Sequence, residues 1–217
     1  SDLKPKRRGT EVEAALHAGP HLGRIGPNAI TRVAQVLPAR VGSAATWTLF
    51  EEAGLVHYLR QPPEGMVDEA EVRRLHGAVR RQLGSDTARD VSSAAGRCTA
   101  DYLLANRIPK PVQAVLKRLP ARLAARVLLK AISRHAWTFA GSGRFSADAG
   151  GFGRPVVLRI QHNPLCVGMA SDAPACDYYA ATFERLFQVL VHGRAVVHEV
   201  ACEACGDSEC RFEIRWS

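Results

Sequence analysis

The stretch His198-Glu199-Val200-Ala201-Cys202-Glu203-Ala204-Cys205-Gly206-Asp207-Ser208-Glu209-Cys210-Arg211-Phe212-Glu213-Ile214 decides how the chain is read. At its two ends, residues 195–201 (AVVHEVA) and 210–216 (CRFEIRW) alternate apolar with polar side chains. A period of two puts every other side chain on one face and predicts two half-buried strands. Gly206-Asp207 between them is a turn signal. The expected unit is a hairpin whose loop carries thiols. Five of the six cysteines lie from Cys166 onward, and only Cys98 precedes them.

Thiols gathered on a tight turn suit a four-coordinate metal, because the loop fixes ligand separation at little entropic cost. Cys202-x-x-Cys205 has the spacing of half a zinc site, with Cys210 close behind and Cys176 or Cys166 to complete a set. Cys176, Glu199, Cys202 and Cys210 form a second set. Residues three apart on a strand face opposite ways, so Glu199 and Cys202 converge only where the strand bends or ends. Two metal-free readings stand beside these: small buried thiols, and a disulfide. A closed set of four ligands leaves no open coordination position, so such a metal would be structural.

Composition is that of a globular protein, 47% apolar and 23% charged over 217 residues. No apolar run approaches the roughly 20 residues that span a bilayer. The basic start SDLKPKRRGT lacks an apolar core, so a secretory signal is not expected and a reducing cytoplasm is. The net charge of +8 favours anionic partners such as lipid headgroups or a small acidic ligand. Nucleic acid is not expected, because the arginines are spread over many segments and not massed beside aromatics.

Before the hairpin, most of the chain reads as helix. Residues 1–24 form a basic, partly flexible segment with a short helix near Glu11 to His17. Ile30, Val33, Ala34 and Leu37 make a helical stripe, and Pro38 suits the first turn of a second helix that takes Trp47 and Phe50 into the core. Asp68 and Glu71 make a capping pair, Gly84 stops the helix they open, and Ser85-Asp86 starts another. Its small residues, Ser92 to Gly96, predict close helix packing. A basic helix pair meets at Pro120, and its charges suit either solvent or a membrane surface. From about His135 the period changes to that of strands: residues 136–140 (AWTFA) and 155–161 (PVVLRIQ), joined by glycine-rich turns around Gly141 and Gly151. No Gly-Lys-Ser/Thr and no helix follow those glycines, so they are not a phosphate loop. Cys176-Asp177 opens the last helix. Helices first and an antiparallel sheet after them make an α+β chain with a helical part, 25–135, and a sheet and zinc-site part, 136–217.

The pattern Cys176 … Glu199-x-x-Cys202-x7-Cys210-x-Phe212-x-Ile214, preceded by Ala181-x-Phe183-Glu184-x-Leu186, resembles the 4-vinyl reductase domain family, and the likeness reaches back through Gly141-Ser142-Gly143 to the helices. The resemblance is strongest to the free-standing members of bacteriochlorophyll biosynthesis. It implies an α+β fold related to trafficking-complex subunits and haem nitric-oxide sensors, with a small-molecule pocket between helices and sheet. From zinc-binding relatives it implies Cys176, Glu199, Cys202 and Cys210 as ligands of a structural zinc, with Cys205 an extra thiol.

The family name implies reduction of a vinyl group on a divinyl chlorophyllide precursor. Such a reductase takes hydride from a nicotinamide or flavin, or electrons from an iron–sulfur cluster. The chain carries no dinucleotide fingerprint and no ferredoxin-type cysteine run. What the resemblance then implies is an accessory protein rather than an enzyme of the pathway, one that binds a magnesium tetrapyrrole (divinyl protochlorophyllide or a Mg-protoporphyrin) and carries it to pathway enzymes. A non-catalytic scaffold and the reductase itself are the alternatives. His135 and His162 are the candidate axial ligands, and Trp137, Phe139, Phe145 and Phe152 the candidate ring-stacking residues. Each of these has an ordinary core or surface reading as well. The expected place is the cytoplasm or the periphery of the photosynthetic membrane, and the sequence leaves open whether two copies pair.

Overall fold

The computed structural model describes residues 23–217, so the short helix expected near Glu11 to His17 lies outside the described residues. Helix α1 (Asn28–Val41) buries Ile30, Val33 and Leu37. It does not end before Pro38 as expected. A proline inside a helix forfeits one N–H bond, and the helix continues past it to Gly42, whose φ of 84° ends it. Helix α2 (Ser43–Glu52) buries Phe50 but leaves Trp47 exposed, under the guanidinium of Arg60. A short helix α3 (His57–Arg60) follows, and β1 (Arg24–Ile25) pairs antiparallel with β2 (Val67–Asp68).

Helix α4 (Glu69–Asn106) is the long element of the helical part. Asp68 caps it, its Oδ1 accepting from Ala70 N at 2.8 Å. Glu71 does not reciprocate; its carboxylate accepts instead from the Tyr58 hydroxyl at 2.9 Å. The break expected at Gly84 is present as a kink with φ 73°. Helices α5 (Lys110–Leu116) and α6 (Ala121–Arg134) meet at Pro120 as expected. Among the described residues no helix is long and apolar enough to cross a membrane.

The segment AWTFA is a single helical turn, α7 (Trp137–Ala140), and not a strand. Five alternating residues are too few to fix a period. Here the His135 carbonyl takes both the amide and the hydroxyl of Thr138, and Ala140 N closes on Ala136 O at 2.8 Å. The strand in this region is β3 (Arg144–Asp148), between the two glycine clusters, and it pairs antiparallel with β4 (Val156–Gln161). With β5 (Val196–Ala201) and β6 (Cys210–Arg215) they form one antiparallel sheet in the order β3-β4-β6-β5. Leu158 faces Phe212 and Ile160 faces Cys210 across the centre.

Helix α8 (Asp177–Leu190) lies between α4 and the sheet. One face puts Phe183 5.5 Å from Phe212, ring to ring. The other meets α4 at Gly96, where an added Cβ would stand 2.3 Å from the Tyr178 carbonyl oxygen. The small residues of α4 therefore set the helix spacing. The result is an α+β chain: helices, one crossing helix, and an antiparallel sheet with the expected hairpin at its edge.

Candidate metal centre

Four segments that are distant in sequence converge where the sheet meets the start of α8. Cys166 comes from the turn after β4, Cys176 from the N-cap of α8, Cys202 from the residue after β5, and Cys210 from the first position of β6. All four sulfurs are buried and lie within 4.8 Å of one another. Individual separations are 3.5 Å for Cys166–Cys176, 3.6 Å for Cys166–Cys210 and Cys176–Cys210, and 3.9 Å for Cys176–Cys202. Sulfurs about 2.3 Å from a central zinc stand about 3.8 Å apart in a tetrahedron. The cluster fits a metal of that kind. A disulfide needs sulfurs about 2.05 Å apart, and all six cysteines are free.

The hairpin reaches this geometry through a bulge. The β5–β6 register shifts between Glu199 and Ala201, bending the strand before Cys202. Beyond it, a 3-10 turn (Glu203–Cys205) and left-handed Gly206 carry the chain back to Cys210. Cys202 N is held by Asp207 at 2.8 Å. Glu203 clamps the exit of β4, its carboxylate accepting from His162 N at 2.6 Å and Asn163 N at 2.8 Å. His162 takes up a left-handed φ of 54° to make this corner.

Polar groups around the sulfurs are arranged as donors. Asn163, fully buried, points its side-chain amide at Cys176 and Cys210, 3.4 Å from each sulfur. Glu203 N donates to Cys210 at 3.4 Å. Donors aimed at sulfur favour thiolate over thiol. Without a cation the four cannot ionise together. Cys176 is pushed up by its contacts with Cys166, Cys202 and Cys210 and by burial. Cys202 is pushed down, chiefly by hydrogen bonds from Cys166, Cys176 and Cys210. A divalent cation removes this conflict, and that charge balance is the chemical case for a metal here.

Three of the residues expected as ligands, Cys176, Cys202 and Cys210, meet in the cluster, and Cys166 is the fourth sulfur. Glu199 lies beside it. Its Oε2 accepts from Cys176 N at 2.8 Å, while Oε1 is buried with no hydrogen-bond partner among the described residues. Burial, and then the Cys202 sulfur, pushes the Glu199 carboxyl up to about 9. Cys205 is exposed, the extra thiol it was expected to be. Asn163 and Glu203 were not anticipated. Asn163-Pro164 is a turn signal and was the one sign of that corner in the sequence.

The six residues expected around a pigment do not gather at one place. Phe139 and Phe145 are half-buried and meet edge to face at 5.2 Å, against Phe183. His135 and His162 are exposed, His135 with its Nδ1 2.9 Å from Ala131 O. Trp137 is exposed and Phe152 fully so.

Comparison with known proteins adds three findings. The 4-vinyl reductase domain model matches residues 156–216, from the start of β4 through the cysteine hairpin. The bacteriochlorophyll synthase 23 kDa chain of Cereibacter sphaeroides is 43% identical over 206 residues, 94% of this chain and 97% of that one. The protein of the same name from Rhodobacter capsulatus is 40% identical over 191 residues, covering 88% and 86%. An H-NOX protein from S. oneidensis, crystallised in its Fe(II)NO ligation state, superposes with a TM-score of 0.55 at 13% identity over 89% of this chain and 99% of that one. At that identity the likeness concerns the fold alone.

Proposed function

The chain belongs to the 4-vinyl reductase domain family of bacteriochlorophyll synthase 23 kDa chains, and from that membership we propose an accessory protein of bacteriochlorophyll biosynthesis that binds a magnesium tetrapyrrole and hands it to pathway enzymes without transforming it. The near full-length likeness to the 23 kDa chains is the observation that carries this reading. A structural zinc on Cys166, Cys176, Cys202 and Cys210 is part of it, with Glu199 beside the ligands. Zinc so held closes the β5–β6 hairpin onto the start of α8, and its full set of sulfurs supports a structural role. The half-buried rings of Phe139 and Phe145 offer an aromatic face to a macrocycle, and His135 and His162, both exposed, are the side chains that could approach its magnesium.

The test is an anaerobic titration of the metal-assayed protein with divinyl protochlorophyllide, followed by absorbance before and after NADPH is added. A shifted Soret band with no later change is expected. Conversion to the monovinyl spectrum would replace the carrier with a vinyl reductase, and no shift at all would leave a scaffold.

The reading includes a place at the membrane periphery. Between Asp101 and Asp148 there is no acidic residue and there are nine lysines and arginines, and Val115, Leu123 and Val127 of α5 and α6 are exposed among them. Vesicles containing phosphatidylglycerol should retain the protein at low salt and release it at high salt; equal recovery on neutral vesicles would count against this placement.

A further inference from the structure

At the end of β6 opposite the cysteine centre, a groove of about 390 Å³ opens between the start of α6, the β3–β4 turn and the β5 entry. Four arginines line it, Arg122, Arg154, Arg194 and Arg215, with Trp216 and the exposed Val196. They come from four places in the chain. The Arg122 guanidinium lies 5.3 Å from the centre of the Trp216 ring and donates to the Arg154 carbonyl at 3.1 Å, tying three of these segments into one wall.

The charge in this groove is mostly uncompensated. Arg215 pairs with Glu213 at 3.0 Å. Among the described residues no carboxylate forms an ion pair with Arg122, Arg154 or Arg194. Like charges gathered around one concavity repel, and an anion seated between them removes that cost while gaining charge-assisted hydrogen bonds. Planar guanidinium groups match a carboxylate in both geometry and charge. Beside the cations stand an indole and an aliphatic side chain. Fully exposed Phe152 is on the same turn, two residues before Arg154, which the Gly151–Arg154 bridge closes. Cations on one wall with aromatic surface next to them suit a flat, apolar ligand that carries carboxylates on one edge.

The geometry points to this groove as the seat of the carboxylate edge of the tetrapyrrole, with Arg122, Arg154 and Arg194 meeting the propionates and Trp216 lying against the macrocycle. This assignment rests on the tetrapyrrole reading above and adds the site and the chemical handle by which the cargo is held. It places the macrocycle away from the Phe139–Phe145 face.

The probes are magnesium protoporphyrin IX and its dimethyl ester, titrated by Soret shift and tryptophan quenching against the full chain and against Arg122→Gln and Arg194→Gln. Arg194 is exposed, and no side-chain bond of its own ties it to the fold, so its variant tests the site without disturbing the wall. The diacid should bind at least about tenfold more tightly than the ester, and each variant should lose about tenfold for the diacid and little for the ester. Equal affinity for diacid and ester, unchanged in both variants, would overturn the site while leaving tetrapyrrole binding intact. If neither pigment binds, the carrier reading fails and this site fails with it.

Discussion

The side-chain nitrogen of Asn163 lies 3.4 Å from the sulfur of Cys210 and equally far from that of Cys176, so one amide bridges two of the four thiols. The same side chain caps its own turn, Oδ1 accepting from Leu165 N at 3.0 Å. Asn163 therefore orients the turn that delivers Cys166 and steadies the negative charge on two ligands. Removing it by Asn163→Ala is expected to weaken metal binding about 10-fold or more, the usual cost of losing an outer-sphere partner. Competition with a chromogenic chelator measures it. An unchanged affinity would mean that the amide serves the turn alone.

The fourth ligand can be identified by substitution. With Cys166 in the set, cobalt(II) exchanged into the protein should give the strong sulfur-to-metal charge-transfer absorption of four thiolates, and Cys166→Ser should lower it by about a quarter. Glu199→Gln should leave that band in place, since Glu199 holds Cys176 through its backbone. The reverse result, a weaker site in Glu199→Gln with full absorption in Cys166→Ser, would restore the cysteine–glutamate set that family resemblance implied.

What the sequence disclosed, and what it did not, follows from the range of the interactions. Alternation in β5 and β6 and the thiols between them are local signals, and the hairpin was legible from them. Cys166 and Cys210 are 44 residues apart, and only the pairing of Ile160 with Cys210 across β4 and β6 brings the β4 turn to the hairpin. Strand β3 was hidden because Arg144, Ser146 and Asp148 are exposed and its inward side chains are only Phe145 and Ala147, too little apolar surface to register between glycines. AWTFA showed the opposite error, since its alternation was real but its carbonyls are satisfied within one turn. The arginine groove could not be read at all: its residues are spread from Arg122 to Trp216 and share no motif.

His76 should make stability depend on pH. Its ring is buried with Nε2 2.9 Å from Ala29 O and an edge contact to Tyr178, and burial holds it below the ordinary histidine value of 6.5. In the unfolded chain the ring takes up a proton near 6.5; in the folded chain it resists. The stability it contributes is thus complete above about pH 6.5 and declines as the pH falls towards the lower folded value, by up to about 1.4 kcal/mol per unit. His76→Gln keeps a donor for Ala29 and does not titrate. Urea midpoints taken from about pH 7 to pH 5 should fall more steeply for the parent than for the variant; parallel curves would show that His76 is free to ionise in place.

Gly96 is where the helical part is locked to the sheet part. A Cβ there would sit 2.3 Å from the Tyr178 carbonyl oxygen and 3.0 Å from the Ala181 methyl, backbone and short side chain that cannot swing away. The Thr182 hydroxyl, 3.1 Å from Gly96 O, would have to move as well. Ala normally stabilises a helix relative to Gly by about 1 kcal/mol. Here the close approach of α4 to α8 reverses the sign: Gly96→Ala should destabilise the fold by about 1–3 kcal/mol, the usual cost of overpacking. Because α8 begins one residue after Cys176, the shift should also reach the metal centre, and metal affinity should fall together with the denaturation midpoint. A variant as stable as the parent would show that α8 can slide on α4 without strain, and the two halves of the chain would then be less tightly coupled than this contact implies.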